Sequence, residues 1–179
     1  MTRMKQFFPE GWLMETDQNK RAFLSLNSLA EACEKETILE ARALVCDTEH
    51  NLIVDLGGIR GVIPRDEGAL GIREGTARDI ALISRVNKPV SFIITSLTED
   101  AQGNIIAWLS RRMAQQQCLD FFINRLTSGD VIPARVTHLE PFGAFCDIGC
   151  GIVSLIPIDA ISVSRIFHPC DRFSPGDDI

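Results

Sequence analysis

Residues 141–149 read PFGAFCDIG, a stretch with the residue types of a β-strand that closes on a turn. Two aromatic residues, Phe142 and Phe145, stand on either side of a Gly-Ala pair. Because successive strand residues point to opposite faces, rings three residues apart share a surface only if a β-bulge intervenes, and Gly143 would supply it. The stretch therefore predicts either one surface with two rings or a strand with at least one ring in the core.

An earlier stretch repeats this pattern. Residues 52–64 read LIVDLGGIRGVIP and align with residues 144–157, AFCDIGCGIVSLIP, after one inserted residue in the second turn. Residues 38–43 align with residues 131–136 at nearly the same offset, about 93 residues. Three blocks in the same order at a nearly constant offset predict two copies of one small domain.

The first copy has the strand content of a small barrel. A helical break separates the third from the fourth of its five strand-like runs, which are 38–46, 51–56, 60–63, 89–95 and 104–110. Five strands with such a break are typical of the OB-fold, a Greek-key barrel. The sequence thus predicts a mainly β protein whose first domain, residues 37–112, is a five-stranded OB-fold barrel.

The remaining segments complete a tandem arrangement. Residues 1–36 predict a short helical N-terminal lead-in, or arm. Residues 113–128 change to helical spacing and predict an α-helix of about four turns that joins the two barrels. Residues 129–179 form the second OB-fold copy. Because residues 176–179 align with the start of strand four, we expect this copy to be truncated, without its last two strands.

Composition excludes several classes of protein. The chain has 179 residues and a net charge of −6. The part of the chain after Met113 contains only four basic residues and eight acidic ones. A nucleic-acid contact there would therefore depend on stacking rather than on phosphate neutralisation. The six cysteines form no CxxC pair, and there is neither a signal peptide nor a run long enough to span a membrane. These features predict a cytoplasmic protein with reduced thiols and no membrane contact.

The second copy carries the motif of a known family. In chain order, the motif comprises Gly129-Asp130-Val131, Ala134-Arg135-Val136, Phe142-Gly143-Ala144-Phe145, Asp147-Ile148-Gly149 and Leu155-Ile156-Pro157. This order and spacing resemble the S-one RNA-binding domain, an OB-fold module that the bacterial small-subunit ribosomal protein of that name carries in tandem. The resemblance covers both copies, and the Ser110-Arg111-Arg112 ending before a helix is most similar to Gram-positive members.

The resemblance implies single-stranded RNA, such as mRNA, as a partner. In the family the rings that match Phe142 and Phe145 stack on bases; the alternative, that at least one ring is in the core, stays open. Arg135 and His138 are the candidates for phosphate contact, with plain solvated surface as the alternative for each. The family often has an RNA-contacting His where this chain has Pro157, so that contact is absent.

The first copy has a reduced version of this surface. His50 aligns with Phe142 and Ile53 with Phe145, which leaves Arg42 and His50 as the residues for weaker RNA contact. In the family the N-terminal copies dock on the ribosome. The resemblance therefore implies the small ribosomal subunit as a partner of the first repeat and the N-terminal arm, and a spacer that only folds is the alternative.

Zinc-ligand residue types occur near the end of the chain. Cys146 and Cys150 are four residues apart, and His168 and Cys170 follow. Cys146 falls on a strand at a position that the family fills with an apolar residue. We therefore expect no metal and no cofactor.

No catalytic residues are predicted either. Asp55 and Asp147 occupy equivalent turn positions of the repeat, which favours structural caps over catalytic acids, and no Ser-His-Asp set, phosphate loop or dinucleotide fingerprint occurs. The leading hypothesis is a non-enzymatic RNA-binding protein of translation. A ribosome-docking module and the accessory region of an RNA-processing enzyme are the alternatives.

Overall fold

The computed structural model describes residues 7–179, so the first six residues of the predicted N-terminal lead-in lie outside the described residues. Two short helices occur in the rest of that segment, α1 (Asp17–Ala22) and α2 (Leu26–Glu34). Ser25 caps α2, since its side-chain oxygen accepts a hydrogen bond from the Ser28 backbone N–H at 3.1 Å. The buried face of α2 joins the core of the adjacent barrel.

Five strands close into that barrel. They are β1 (Leu39–Cys46), β2 (Leu52–Asp55), β3 (Arg60–Ile63), β4 (Pro89–Glu99) and β5 (Ile105–Ser110). Their order around the barrel is β1-β2-β3-β5-β4. Strands β3 and β5 pair in parallel, and the other neighbours are antiparallel. The prediction of a mainly β chain with a closed, OB-like barrel of five strands is confirmed.

The inward residues of these strands form a single core. Leu39, Leu52, Phe92 and Leu109 are among its largest side chains, and each is no more than 1% exposed. Burial of side chains of this size stabilises the fold by about 1.5–3 kcal/mol each relative to an exposed position. The barrel therefore gives its outward residues a rigid support.

The connection between β3 and β4 contains the predicted helical break. It has a 3₁₀ turn at Arg65–Glu67 and helix α3 (Ile80–Ile83). Arg65 Nε donates a hydrogen bond to Asp79 Oδ1 at 2.8 Å and ties the two pieces together. A small core separate from that of the barrel lies here, formed by Ala69, Ile72 and Leu82.

Helix α4 (Arg111–Phe121) follows β5 without a loop. Ser110 Oγ begins it by accepting a hydrogen bond from the Met113 backbone N–H at 3.0 Å. The predicted span of 113–128 is too long, because Phe122 leaves the helical conformation and stacks on a ring of the N-terminal segment. Across residues 7–179, no helix has both the length and the apolar character needed to cross a membrane.

Three further strands form an antiparallel sheet after α4. They are β6 (Arg135–Glu140), β7 (Gly143–Asp147) and β8 (Val153–Pro157), in that order, and helix α5 (Ile158–Ile161) follows. The inner face of this second sheet buries Val136, Ala144 and Cys146. The opposite face carries the aromatic residues that the sequence singles out.

The last residues of the chain lie beside β6. Ala134 and Ile179 exchange two backbone hydrogen bonds of 2.9 Å, and Arg135 forms an isolated bridge with Asp178. In the barrel, the equivalent residues Arg42 and Pro89 pair β1 with β4. The pairing of Arg135 with Asp178 thus agrees with the alignment of residues 176–179 with the start of strand four. The two-barrel arrangement and its domain limits stay predictions.

The N-terminal segment at residues 7–13 lies between the barrel and the second sheet. The Glu10 backbone N–H donates to Asp147 Oδ2 on β7, and the Gly11 N–H donates to Glu40 Oε2 on β1, both at 2.8 Å. The Cys150 N–H donates to the Phe8 carbonyl at 2.9 Å. The segment therefore fixes the position of the second sheet relative to the barrel, which the sequence did not indicate.

A buried ion pair strengthens this junction. Arg111 Nε and Nη2 donate to the two carboxylate oxygens of Glu10 at 2.7 and 2.9 Å. Burial raises the pKa of Glu10, but the adjacent Arg111 charge outweighs it and holds that pKa below its usual value. The start of α4 is thus fixed to the N-terminal segment.

Candidate nucleic-acid interface

A β-bulge in β6 decides how the rings are presented. Val136 pairs with Cys146 and His138 pairs with Phe145, so Thr137 is the extra residue. The prediction of a bulge at Gly143 is wrong. Gly143 is a regular strand position, where a side chain would bring its Cβ within 2.4 Å of the Ile156 carbonyl oxygen.

Phe142 and Phe145 lie on the same surface for a simpler reason than a bulge between them. Phe142 belongs to the turn before β7, so strand alternation does not govern the direction of its side chain. The two ring centroids are 6.0 Å apart with an interplanar angle of 87°, an edge-to-face pair. Phe142 is 54% exposed and Phe145 is half-buried.

His138 adds a third ring to this surface. Its imidazole stacks on Phe145 with a centroid distance of 6.2 Å and an interplanar angle of 27°. This contact follows from the bulge, because His138 and Phe145 are directly opposed across β6 and β7. We call the three rings of His138, Phe142 and Phe145 the aromatic platform.

The outward residues of this sheet form two cross-strand rows, and the first row contains two of the platform rings. His138, Phe145 and Leu155 pair across the three strands in one row, and Glu140, Gly143 and Pro157 pair in the next. Leu155 is 41% exposed, so the platform continues as apolar surface onto β8. Glu140 supplies the carboxylate of these two rows, and its Oε1 lies 2.6 Å from His138 Nε2.

Arg135 is already engaged at the other end of the sheet. Its Nε and Nη2 donate to the two carboxylate oxygens of Asp178 at 2.7 and 3.0 Å. Its Nη1 donates to the Glu10 carbonyl at 3.2 Å. The hydrogen bonds that Arg135 donates to Asp178 raise the pKa of Arg135 above its usual value. A phosphate would have to displace Asp178 to use this guanidinium.

The first-copy candidates, Arg42 and His50, contact other residues of the first copy. Arg42 donates a hydrogen bond to the Asn87 carbonyl, and His50 lies in the β1–β2 turn with φ +63°. His50 Nδ1 is 3.6 Å from Asp79 Oδ2. These contacts place each residue beside the connection between β3 and β4 rather than beside an aromatic ring.

The barrel has its own outward row at the equivalent position. Val45 pairs with Ile53, Ile53 with Val62, and Val62 with Trp108. The same bulge occurs here, after Ala43, so the two sheets share this irregularity as well as their turns. The row is aliphatic where the second sheet has rings, and it ends on an indole.

Sequence reasoning missed Glu140 and Trp108 as members of these surfaces. Glu140 follows His138 by two residues on one strand, so period-two alternation would have placed them on one face. Trp108 offered no such signal, because its run Ile105–Ser110 is apolar at most positions. Only the pairing of β5 with β3 places its ring at the end of the barrel row.

The turn aspartates act as caps, as predicted. Asp147 Oδ1 accepts hydrogen bonds from the Gly149 and Gly151 backbone N–H groups at 2.8 and 3.0 Å. Asp55 Oδ1 accepts one from the Gly58 N–H at 2.8 Å. Burial, together with the nearby Glu10 charge, raises the pKa of Asp147 to about 6.

The cysteines and histidines do not gather around a common point. Within residues 7–179, no three His, Cys, Asp or Glu side chains are close enough to hold a metal ion. Cys146 is in the core of the second sheet, where burial raises the pKa of its thiol. His168 Nδ1 instead accepts a hydrogen bond from the Cys170 backbone N–H at 3.1 Å.

Comparison with known proteins supports the resemblance seen in the motif. Residues 125–179 match the model of the S1 RNA binding domain. Small ribosomal subunit protein bS1 of Leuconostoc lactis is 30% identical over 131 residues, covering 72% of this chain and 28% of the relative. The Mycobacterium tuberculosis bS1 is 27% identical over 167 residues, 90% of this chain and 31% of the relative. The Staphylococcus aureus bS1 is 28% identical over 159 residues, 87% of this chain and 38% of the relative.

The chain spans about a third of the length of these curated relatives. Among solved structures, a multidomain protein with nucleic acid binding domains from Streptococcus pneumoniae matches with 12% identity and a TM-score of 0.24. That match covers 80% of this chain and 39% of the other, and a superposition this loose carries no argument. The motif, the matched domain model and the bS1 relatives, Gram-positive ones among them, place residues 125–179 of this chain in the S1 RNA-binding domain family.

Proposed function

We propose that this protein binds single-stranded RNA by stacking bases on the aromatic platform of its second sheet, as a non-enzymatic, ribosomal-protein-like factor of translation. One observation carries the proposal: three contiguous rings stand partly exposed on the outer face of the sheet within residues 125–179, the part that matches the S1 domain. Exposed rings on a sheet are the stacking surfaces that RNA-binding modules offer to unpaired bases.

Energetics favour stacking as the main contribution. Each base stacked on an aromatic side chain contributes about 1–3 kcal/mol, and every base has a face to stack. Phosphate contacts contribute less, because Arg135 is paired with Asp178 and the second half of the chain is acidic. We therefore expect a shallow dependence of RNA affinity on salt concentration.

The proposal includes a second partner, the small ribosomal subunit. The relatives that align with 90% or 87% of this chain are small ribosomal subunit proteins. The barrel has Val45, Ile53 and Val62 in place of the platform row, with Trp108 at its end, and Val45 is 53% exposed. Such a surface suits a protein contact better than a nucleotide base. Both roles place the protein in the cytoplasm.

The first residues of the N-terminal arm are engaged within the chain itself. Phe7 is 3% exposed, and the backbone of Glu10 is bonded to Asp147. Residues 7–13 of the arm are held between two sheets of their own chain, whereas Leu24, further along the arm, is 78% exposed. We assign docking on the ribosome to the barrel, with tandem copies joined through α4.

The test removes the rings. Phe142→Ala combined with Phe145→Ala should weaken binding of a fluorescent single-stranded RNA at least about tenfold in an anisotropy titration, because two stacks are lost. Phe167→Ala is the matched control, since Phe167 is 81% exposed in the loop after α5. Unchanged affinity in the double variant, or an equal loss in the control, would contradict the platform.

A further inference from the structure

Glu140 stands beside the rings in a position to contact a stacked base. It is opposite Gly143 on β7, so no side chain from that partner stands between it and the platform. Phe145 is its diagonal neighbour across the strand pair, a separation that a long side chain can bridge. Phe142 occupies the turn that joins these two strands.

The carboxylate of Glu140 contacts His138 through one oxygen and can still accept further hydrogen bonds. His138 Nε2 lies 2.6 Å from Oε1, and the side chain is 40% exposed. Within residues 7–179, the second carboxylate oxygen, Oε2, forms no hydrogen bond. An ionised carboxylate has about four lone-pair sites and no proton to donate, so it offers acceptors only.

The charge around the platform excludes a simple phosphate site. Arg135, on the same strand as Glu140, is neutralised by Asp178. A phosphate placed over the platform would meet the Glu140 charge without a free guanidinium beside it. A base edge with hydrogen-bond donors would instead be attracted by the same carboxylate.

We propose that Glu140 gives the platform a preference for guanine, by accepting two hydrogen bonds from the edge of a base stacked on one ring of the platform. This inference rests on the proposed function. Stacking alone accepts any base, so the carboxylate would be the specificity-determining residue of the site.

Elementary base chemistry selects guanine among the four bases. Guanine presents two adjacent donors, N1–H and N2–H₂, which match the two oxygens of a carboxylate. Adenine and cytosine each place an acceptor nitrogen next to their single amino group, and that lone pair would repel the second oxygen. Uracil has one N–H between two carbonyl acceptors. Tenfold discrimination corresponds to about 1.4 kcal/mol, which lies within the range of about 1–3 kcal/mol for a matched bidentate pair.

The experiment compares four eight-residue RNAs of uridine that carry A, C, G or U at one central position. Binding is measured by fluorescence anisotropy for the wild type, Glu140→Gln and Glu99→Gln. The last variant removes one exposed negative charge from the barrel and is the matched control. Because the side-chain amide of Gln has one acceptor and one donor group, it cannot accept from guanine N1–H and N2–H₂ with two oxygens, and it can pair with a neighbouring donor and acceptor on any of the four bases.

We expect the wild type and Glu99→Gln to bind the G-containing RNA about tenfold more tightly than the others. Glu140→Gln should lose that preference while it still binds RNA. Equal affinity of the wild type for all four RNAs, or a guanine preference that survives in Glu140→Gln, would overturn the inference and leave the proposed function standing. Failure of the wild type to bind any of the RNAs would overturn both.

Discussion

Glu40 gives the barrel a pH dependence that a single substitution should remove. Its side chain is 1% exposed, and its Oε2 accepts hydrogen bonds from the Gly11 and Leu13 backbone N–H groups at 2.8 and 3.1 Å. Within residues 7–179, its Oε1 is buried without a hydrogen-bond partner. Burial, together with the nearby Glu10 charge, raises the pKa of Glu40 from 4.5 to about 7.

The size of the effect follows from linkage. A carboxyl group whose pKa is higher in the folded state than in the unfolded state holds its proton more tightly when folded. Its destabilising contribution is therefore absent below about pH 4.5, grows as the pH rises, and is complete above about pH 7. Each unit of pKa difference corresponds to 1.36 kcal/mol, so ionised Glu40 costs the folded state about 3 kcal/mol at pH 8.

Glu40→Gln keeps the shape of the side chain and removes its charge. The amide carbonyl of Gln can accept the hydrogen bonds from Gly11 and Leu13 in place of Oε2. Relative to the wild type, the variant should gain about 2.5 kcal/mol in free energy of unfolding between pH 5 and pH 8, because a small part of the penalty is already present at pH 5. Any constant cost of the substitution cancels in this difference.

The assay is urea denaturation of both proteins at pH 5, 6, 7 and 8, followed by tryptophan fluorescence. Glu99→Gln is the control, because Glu99 is exposed and its substitution should leave the pH profile of the wild type unchanged. Parallel stability curves for wild type and Glu40→Gln across this range would refute the reasoning. They would mean that Glu40 ionises in the folded protein as easily as in the unfolded chain.

Two other predictions concern the junction and the barrel surface. Glu10→Gln leaves the Arg111 guanidinium buried without its anionic partner and should lower the free energy of unfolding at pH 7 by about 3–5 kcal/mol. Adding Arg111→Leu should recover part of that loss in the same urea assay, and a double variant less stable than the single one would contradict it. Val45→Asp should reduce co-sedimentation with purified small ribosomal subunits severalfold, whereas Val163→Asp, at a fully exposed loop position, should have no effect. Equal sedimentation of both variants with wild type would argue against docking through the barrel row.

The sequence was sufficient for the class of fold and for its most regular parts. Strand-like runs at the right spacing predicted the five strands of the barrel, because strand content and turn residues are local properties. The alignment of Asp55 with Asp147 predicted two equivalent capped turns, and both carboxylates bond turn amides. The family resemblance rested on motif order and spacing, which are likewise visible in the chain alone.

The sequence was not sufficient for the detailed presentation of the site. The bulge was expected at Gly143 because glycine permits one, yet it occurs at Thr137, where pairing with β7 leaves one residue over. Helix α4 ends earlier than its periodicity predicts, because Phe122 packs on the N-terminal segment. Both outcomes depend on contacts with other strands and segments.

The sequence by itself predicted a repeated β-domain and showed that the second aligned segment, unlike the first, carries Phe142 and Phe145. Tertiary structure decided that those two rings share a surface with His138 and Glu140, while Arg135 is bound to Asp178. The physical reason is the range of the interactions. Periodicity and turn chemistry act over a few neighbouring residues, whereas charges and rings find their partners by packing between segments as distant as residues 10 and 147.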